Sequence, residues 1–467
     1  MPLSPEATAL AAILGAVVVL WVTEALPLPV TALLGAVACV VAGVAPAEEV
    51  FRPFADPVVF LFIGSFMLAE AIRVHGLDRR LAYGVLALPW VGERPRRVLA
   101  AVAFVSALVS AFISNTATTA MMVAIVGGML VAIEEAAARH GTGPGRRLEP
   151  AFATGLLLCV AFAASIGGLA TPIGTPPNVI GLAFIRDTLG VDLSFAAWCS
   201  MGVPLVVVLT TVTVLLLSWL FPAGVVCLPG VADVVARERR ALGAWTTGQR
   251  STATAFAITV SLWMLPGMVA LVAGQRHPVV VALAARCPEG VAALVGALLL
   301  FILPGGPGRR ALSWPEAVRI DWGIILLYGG GMALGKLSFA TGLADAIGRG
   351  LTGWLPPGSG GAALVAAAAL MAVLTSEFTS NTASVNMVVP VAITLARSAG
   401  GDALTAALAA TFAASLGFML PVSTPCNAIV YGTGRVPLRS MLAAGAVLDL
   451  VGVATVTCAM LVAGGGR

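Results

Sequence analysis

The sequence predicts an all-α polytopic membrane protein built from two inverted-topology repeats, with about 10 spanning helices, two re-entrant hairpins and two broken helices. Three observations lead there. The 467 residues are 59% hydrophobic and only 10% charged, whereas a soluble domain carries about 25% charged residues. Apolar blocks of membrane-helix length recur along the whole chain. The polar blocks that interrupt them occur twice, in the same order.

Taken in order, spans are expected at 7–23, 28–45, 57–74, 150–190, 199–221, 253–273, 290–303, 322–340, 404–432 and 440–463, with 150–190 and 404–432 long and interrupted. The stretches 98–133 and 362–396 are equally apolar but carry a Ser-Asn-Thr tripeptide in the middle, at Ser114, Asn115 and Thr116 and again at Ser380, Asn381 and Thr382. Residues 81–91 are too short to span and have arginines on both sides, Arg79 and Arg80 before and Arg94, Arg96 and Arg97 after. That pattern fits a segment lying in the interface. The seven cysteines are scattered without a CxxC pair, which argues against a disulfide framework or a zinc site. The N-terminus lacks the basic region of a cleaved signal peptide. No basic patch is large enough for nucleic acid, so the +4 charge balance speaks to orientation rather than to partners.

The repeat is read from four matched blocks. Asp56 opens "DPVVFLFIGSFMLAEAIRVHGLD" and Asp321 opens "DWGIILLYGGGMALGKLSFATGLAD". "SAFISNTAT" then lies over "SEFTSNTAS", "FAASIG" from Phe162 over "FAASLG" from Phe412, and "PIGTPPN" from Pro172 over "PVSTPCN" from Pro421. If the tripeptide segments re-enter rather than cross, five crossings separate Asp56 from Asp321, and an odd number inverts the second half. With the loop at 73–97 set as cytoplasmic, eighteen arginines fall inside and seven outside. This is the bias of the positive-inside rule, and it puts both termini on the outer side.

Non-helical backbone at membrane depth is tolerated where protein covers it or a wet cavity adjoins it. Each tripeptide precedes a helix-forming run and so reads as an N-cap, with side-chain oxygens near free backbone N–H groups. That end of a helix suits an anion. The Pro and Gly cluster at 171–177 must break its span, and Thr175-Pro176 and Thr424-Pro425 each place a cap before proline at the first helical position. Four helix N-termini can therefore converge near the midplane, while unwound carbonyls offer oxygen to a small cation. Paired discontinuous helices of this kind mark the site of a secondary transporter. No Arg or Lys lies in either tip or either break. A bound dianion would thus meet hydroxyls, amides and helix dipoles, with sodium as its partner charge. Ser110 and Ser376 stand one helical turn before the tripeptide serines, placed as hydroxyl ligands. Asp56 and Asp321 read as helix caps. Lys336, the single lysine, and Glu377 lie inside apolar segments, where a charge is either functional or a structural pair.

At these residues the chain resembles the divalent anion/sodium symporter family of sodium-coupled dicarboxylate, citrate and sulfate carriers. The resemblance is carried by "WVTEALPLPVTALL" (21–34), "SNTATTAMM" (114–122), "GTPPN" (174–178), "GGGMALGK" (329–336), "SNTAS" and "FMLPVSTPCNAIVYG" (418–432), and it spans essentially the whole chain. Departures are Cys426 where the family usually has a second proline, Ser423 where alanine is common, and Ala124 where proline is common. Against the family pattern, an N-terminal helix of many relatives is expected to be missing here, in keeping with the expected outward N-terminus. The resemblance implies a homodimer in the lipid bilayer of the cell's inner (plasma) membrane, with a scaffold and a transport domain that moves like an elevator. On that division, 1–95 and 253–361 form the scaffold, 96–222 and 362–467 the transport parts, and 223–252 a cytoplasmic linker. It further implies one sodium near Ser110, Ser114, Asn115 and Gly174 and a second near Ser376, Thr379, Asn381 and Ser423. Substrate carboxylates would meet Ser114, Asn115, Thr116, Ser380, Asn381, Thr382, Thr424 and Pro425.

The expected function is sodium-coupled symport of C4 dicarboxylates, the succinate, fumarate and malate type, and not catalysis. Sodium-independent dicarboxylate exchange and sulfate symport are the rivals within transport. An intramembrane hydrolase would need a base beside a nucleophile, yet His75, His140 and His277 all fall in loops or at span ends. A channel fits broken inverted repeats less well than alternating access does.

Overall fold

The computed structural model describes residues 3–140, 149–274, 277–352 and 361–465. Arg146, Arg147, Arg276 and Arg467, used above to set the orientation, lie outside the described residues. Among the described residues nine helices are long and apolar enough to cross a membrane. Shorter apolar helices accompany them at Leu28–Val41, Glu289–Ile302 and Ala403–Ala413. The only described strands are Pro304–Gly306 and Arg309–Arg310, a small antiparallel pair.

Local chemistry sets the helix starts. Proline occupies the first turn of Pro57–Val74, Pro95–Ser110, Pro150–Gly167 and Pro176–Leu189, where its missing N–H costs nothing. Asp56 and Asp321 do cap their helices, accepting from the Val58 and Gly323 amides at 2.9 and 3.0 Å. Thr246 and Gln249 form a reciprocal capping box at the start of Thr247–Ala273. The expected interfacial stretch 81–91 is helical only as far as Leu86, in the helix Leu77–Leu86, which includes Arg79 and Arg80 and buries Ala82 and Leu86.

The helices after Asp56 and after Asp321 come in matching order. Pro57–Val74 and Leu77–Leu86 answer to Trp322–Ala340 and Leu343–Thr352. The first hairpin, Pro95–Ser110 with Asn115–His140, answers to the second, Gly361–Phe378 with Asn381–Ser398. Pro150–Gly167 and Pro176–Leu189 flank a first break, and Ala403–Ala413 and Pro425–Gly432 flank a second. Phe195–Leu220 and Leu438–Gly465 close each series.

Packing crosses between the halves. Pro57–Val74 lies against Glu289–Ile302, while Trp322–Ala340 lies against Leu28–Val41. Both contacts use a glycine to bring backbones together, as membrane helices do. A Cβ on Gly64 would fall 2.6 Å from the Ala293 carbonyl carbon, and one on Gly330 would fall 2.6 Å from the Ala32 oxygen. The hairpins exchange partners too. Asn115–His140 packs on Pro425–Gly432, and Asn381–Ser398 on Pro176–Leu189. The second helix of each hairpin thereby lies on the helix that follows the break of the opposite half.

Candidate functional site

Each tripeptide lies at a turn between two helices. Ser114 and Ser380 are the caps, their Oγ atoms accepting from the Ala117 and Ala383 amides at 3.2 Å each. Ser110 Oγ donates to Asn115 Oδ1 at 2.7 Å, and Ser376 Oγ to Asn381 Oδ1 at the same 2.7 Å. Ser376 also faces the Ala414 carbonyl at 2.8 Å. A hydroxyl carries one proton, so Ser376 shares it between two acceptors. Buried oxygens thus crowd together with few hydrogens among them.

The breaks supply more oxygen. Asn178, buried in Pro176–Leu189, donates through Nδ2 to the Gly168 and Thr171 carbonyls, both at 2.8 Å. Asn427 repeats this with the Gly417 and Leu420 carbonyls at 3.2 and 2.9 Å. In both halves the asparagine reaches back ten and seven residues. Backbone freed from helical pairing must find partners, and one side chain serves two carbonyls. The Oδ1 atoms of both asparagines are buried and have no hydrogen-bond partner. Gly174 sits tightly in the first break: a Cβ there would fall 2.5 Å from the Gly168 oxygen and 3.0 Å from that of Ala111. A Cβ on Gly168 would meet Asn115 Oδ1 at 2.7 Å, so Ser110, Asn115, Gly174 and these carbonyls share one neighbourhood.

In the second break Ser423 takes the place of Gly174. Its Oγ donates to Glu377, 2.6 Å from Oε2 and 3.2 Å from the backbone oxygen. The Glu377 carboxylate also accepts the Met419 and Leu420 amides at 2.8 and 3.0 Å. Thr379 Oγ1 is turned to the Thr375 carbonyl at 2.8 Å. Ser376, Asn381 and Ser423 gather around Gly417, whereas the Thr379 hydroxyl is committed to its own helix.

The residues expected to meet substrate divide by exposure. Ser114, Thr116 and Pro425 are exposed, and Asn115, Ser380, Asn381 and Thr382 are partly so. Among the described residues neither the Thr116 nor the Thr382 hydroxyl has a hydrogen-bond partner. Thr424 is buried and caps the Asn427 amide at 3.1 Å. The matching expectation for Thr175 needs correcting. It holds the cap position in extended backbone but makes no side-chain bond to its helix. Among the described residues no Lys or Arg side chain hydrogen-bonds to either tip.

Lys336 has a structural partner. Its Nζ lies 2.8 Å from Asp187 Oδ2, and Arg186 bridges Asp187 and Asp56 at 2.9 and 2.8 Å. This network borders a cavity of about 910 Å³ whose wall also carries Glu49, Arg52, Asp345 and Arg397. Sequence reading left four things unassigned: the asparagine braces, Thr171, whose Oγ1 donates to the Ala111 oxygen at 2.5 Å, the anchorage of Glu377, and Asp449, whose Oδ1 accepts the Phe418 amide at 3.2 Å. The repeated final Asn of "GTPPN" and "STPCN" was the available signal for the braces. All seven cysteines are free, and no cluster of three or more His, Cys, Asp or Glu that could hold a metal occurs among the described residues.

Long apolar helices, broken at paired positions with capped helix starts and crowded carbonyls beside the breaks, define a polytopic membrane transport protein. The family model described as the sodium:sulfate symporter transmembrane region matches residues 1–464, and the chain belongs to that family. It is a transporter rather than an enzyme, which removes the hydrolase alternative. A sodium-dependent dicarboxylate transporter of Staphylococcus saprophyticus is 30% identical over 440 residues, covering 93% of this chain and 82% of that protein. One from Staphylococcus aureus is 31% identical over 438 residues, covering 92% and 81%. Among solved structures, the Alcanivorax borkumensis YdaH transporter matches with a TM-score of 0.56 at 15% identity, covering 90% of this chain and 88% of that one. The Neisseria gonorrhoeae antimetabolite efflux pump MtrF matches with a TM-score of 0.56 at 13% identity, covering 88% and 82%. These two likenesses concern the fold alone.

Proposed function

We propose that the chain is a sodium-coupled symporter of C4 dicarboxylates of the succinate, fumarate and malate type. The observation that carries this reading is the pair of matched oxygen clusters, Ser110 with Asn115 and Ser376 with Asn381, each beside a break. Their donors are neutral hydroxyl, amide and carbonyl oxygens. Hard cations take oxygen ligands, and a set without carboxylates directly on the ion suits a monovalent one. One sodium would be held by Ser110, Ser114, Asn115 and Gly174, and the second by Ser376, Thr379, Asn381 and Ser423. Bound there, sodium supplies the positive charge that the protein itself does not place near the tips.

The substrate carboxylates would then rest on Ser114, Asn115, Thr116, Ser380, Asn381, Thr382 and Thr424, against Pro425, with free hydroxyls at Thr116 and Thr382. Two separated hydroxyls suit two separated carboxylates. The names of the staphylococcal relatives, sodium-dependent dicarboxylate transporters, support the same reading. The hairpins re-enter the membrane, the halves are inverted, and both termini face outward. The transport parts, 96–222 and 362–467, move as an elevator against a scaffold of 1–95 and 253–361 that dimerises in the plasma membrane.

Uptake of labelled succinate into proteoliposomes tests this. Replacing sodium by choline is expected to abolish concentrative uptake. Unchanged uptake, with counterflow intact, identifies a sodium-independent exchanger. The family's name makes sulfate the second candidate: sulfate is expected to compete poorly, and competition equal to that of unlabelled succinate removes the dicarboxylate assignment.

A further inference from the structure

A second cavity, of about 670 Å³, lies where the first hairpin begins, against the loop that follows Phe195–Leu220. Arg94, Arg96 and Arg97 line it on one side, and Leu99, Phe221 and Val226 on the other. Among the described residues no acidic one lines it. The outer cavity beside Lys336, by contrast, sets Glu49, Asp56, Asp187 and Asp345 against its cations. None of the three arginines forms an ion pair among the described residues. Arg97 is oriented instead by Trp90, donating to its carbonyl at 3.1 Å with the guanidinium 5.8 Å from the ring centroid.

The nearest acid in sequence, Glu93, is committed to building the wall. Its carboxylate accepts the Gly230 amide and the Cys227 thiol, both at 3.1 Å, and its backbone oxygen accepts the Leu228 amide at 2.8 Å. The loop is thereby tied down across the cavity, and Glu149, the other acid nearby, packs its side chain against Gly224 of that loop without an ion pair to any of the three arginines among the described residues. Trp90 and Trp219 are 56% and 77% exposed, and Val226 is 89% exposed. Exposed tryptophan beside arginine marks the headgroup level of a membrane protein, and an apolar wall opening there faces acyl chains.

We propose that this cavity binds one anionic phospholipid, its phosphate on Arg94, Arg96 and Arg97 and an acyl chain along Leu99, Phe221 and Val226. Basic pockets between membrane helices hold anionic headgroups in this way. A small soluble anion would use the arginines but leave the apolar wall bare, which is why the occupant is a lipid. The site is separate from the tips and breaks, and its occupancy does not depend on which dianion is carried.

The test uses the full chain in detergent, with native mass spectrometry of lipid retained on addition of phosphatidylglycerol, phosphatidylcholine or glycerol 3-phosphate. Phosphatidylglycerol is expected to be retained, and the other two are not. Each arginine removed is expected to lower affinity about fivefold, so Arg94→Gln, Arg96→Gln and Arg97→Gln together lower it about a hundredfold. Val226→Asp, which keeps all three arginines, is expected to weaken the lipid as well and serves if the triple variant does not fold. Arg237→Gln, Arg239→Gln and Arg240→Gln, on the neighbouring linker helix, are expected to leave retention unchanged. Equal retention by the first triple variant overturns the proposal. So does glycerol 3-phosphate binding as well as the lipid, or an equal loss from the linker triple variant.

Discussion

The two breaks answer one physical problem with different chemistry. Both strip backbone groups of their helical partners, and both use an asparagine, Asn178 or Asn427, to serve two carbonyls. Beyond that they part. The first break is closed by neutral groups: Thr171 bonds the Ala111 oxygen, Gly174 packs against two carbonyls, and the Trp198 indole donates to the Leu169 oxygen at 3.0 Å. At the equivalent places the second break has acids. Glu377 stands for Ala111 and takes two amides and the Ser423 hydroxyl, while the Phe418 amide, one asparagine-brace register later than Gly417 as Leu169 is to Gly168, bonds Asp449. The first half thus satisfies carbonyls with donors, and the second satisfies N–H groups with carboxylates. Shared sequence blocks therefore do not make equal sites: the second break carries buried acidic side chains that the first lacks.

The largest expected effect breaks the charged brace. Glu377→Ala strands two partly buried amides, at about 1–3 kcal/mol for each unsatisfied group, and leaves the Ser423 hydroxyl only the backbone oxygen of residue 377. It is expected to lower the denaturation midpoint of the purified protein sharply, whereas Ala111→Ser, at the matching place, leaves the backbone oxygen that Thr171 uses untouched and changes it little. Equal midpoints for the two variants would falsify the contrast drawn between the halves.

Next comes the exchange of the residues that differ within the repeated block. Gly174→Ser drives a side chain into the Gly168 carbonyl, an overpacking cost of about 1–3 kcal/mol or more. Ser423→Gly only removes the bond to Glu377, worth about 1–3 kcal/mol because the acceptor is charged. Midpoints and surface expression of the two should rank in that order, and a well-folded Gly174→Ser carrier would show the first break to be looser than its packing implies.

Ligand titrations then separate the paired serines. Ser376→Ala and Ser110→Ala are each expected to weaken sodium activation of succinate uptake about tenfold. Ser376 should be the more sensitive, since it faces the Ala414 carbonyl as well. Thr382→Ala and Thr116→Ala should instead reduce succinate affinity at saturating sodium. Sodium activation untouched by either serine change leaves those hydroxyls as packing groups only.

The smallest effect concerns the caps. Thr424→Ala removes a bond to the Asn427 amide and should cost about 1 kcal/mol, typical of a lost N-cap. Thr175→Ala removes none and should be near neutral. A matching loss at both positions would mean that Thr175 caps its helix in solution.

Much of this was legible in the sequence because it is local. Span positions follow from apolar length. Asp56, Asp321, Ser114 and Ser380 could be read as caps because a cap bonds two or three residues ahead, and Pro176 and Pro425 announce where a helix restarts. What stayed hidden depends on chain that is distant or irregular. The partners of Glu377 lie more than forty residues on, in a loop with no period to follow. Lys336 finds Asp187 on a helix of the other half, so its place in an apolar segment could not say whether it was paired. Thr175 shows the limit even of local reading, since the right residue in the right place turns its hydroxyl away from the helix it precedes.

The crosswise contact of Pro57–Val74 with Glu289–Ile302, and of Trp322–Ala340 with Leu28–Val41, has a consequence for how the protein is made. When the ribosome has finished the first half, the groove around Gly64 still lacks its partner, and the face of Leu28–Val41 around Ala32 is bare. The first cannot close until the chain has grown past residue 302, and the second until it has passed residue 340. The nascent first half therefore waits in the membrane as an open clasp, held by lipid and insertion machinery, and the last helices to emerge lock the earliest ones in place.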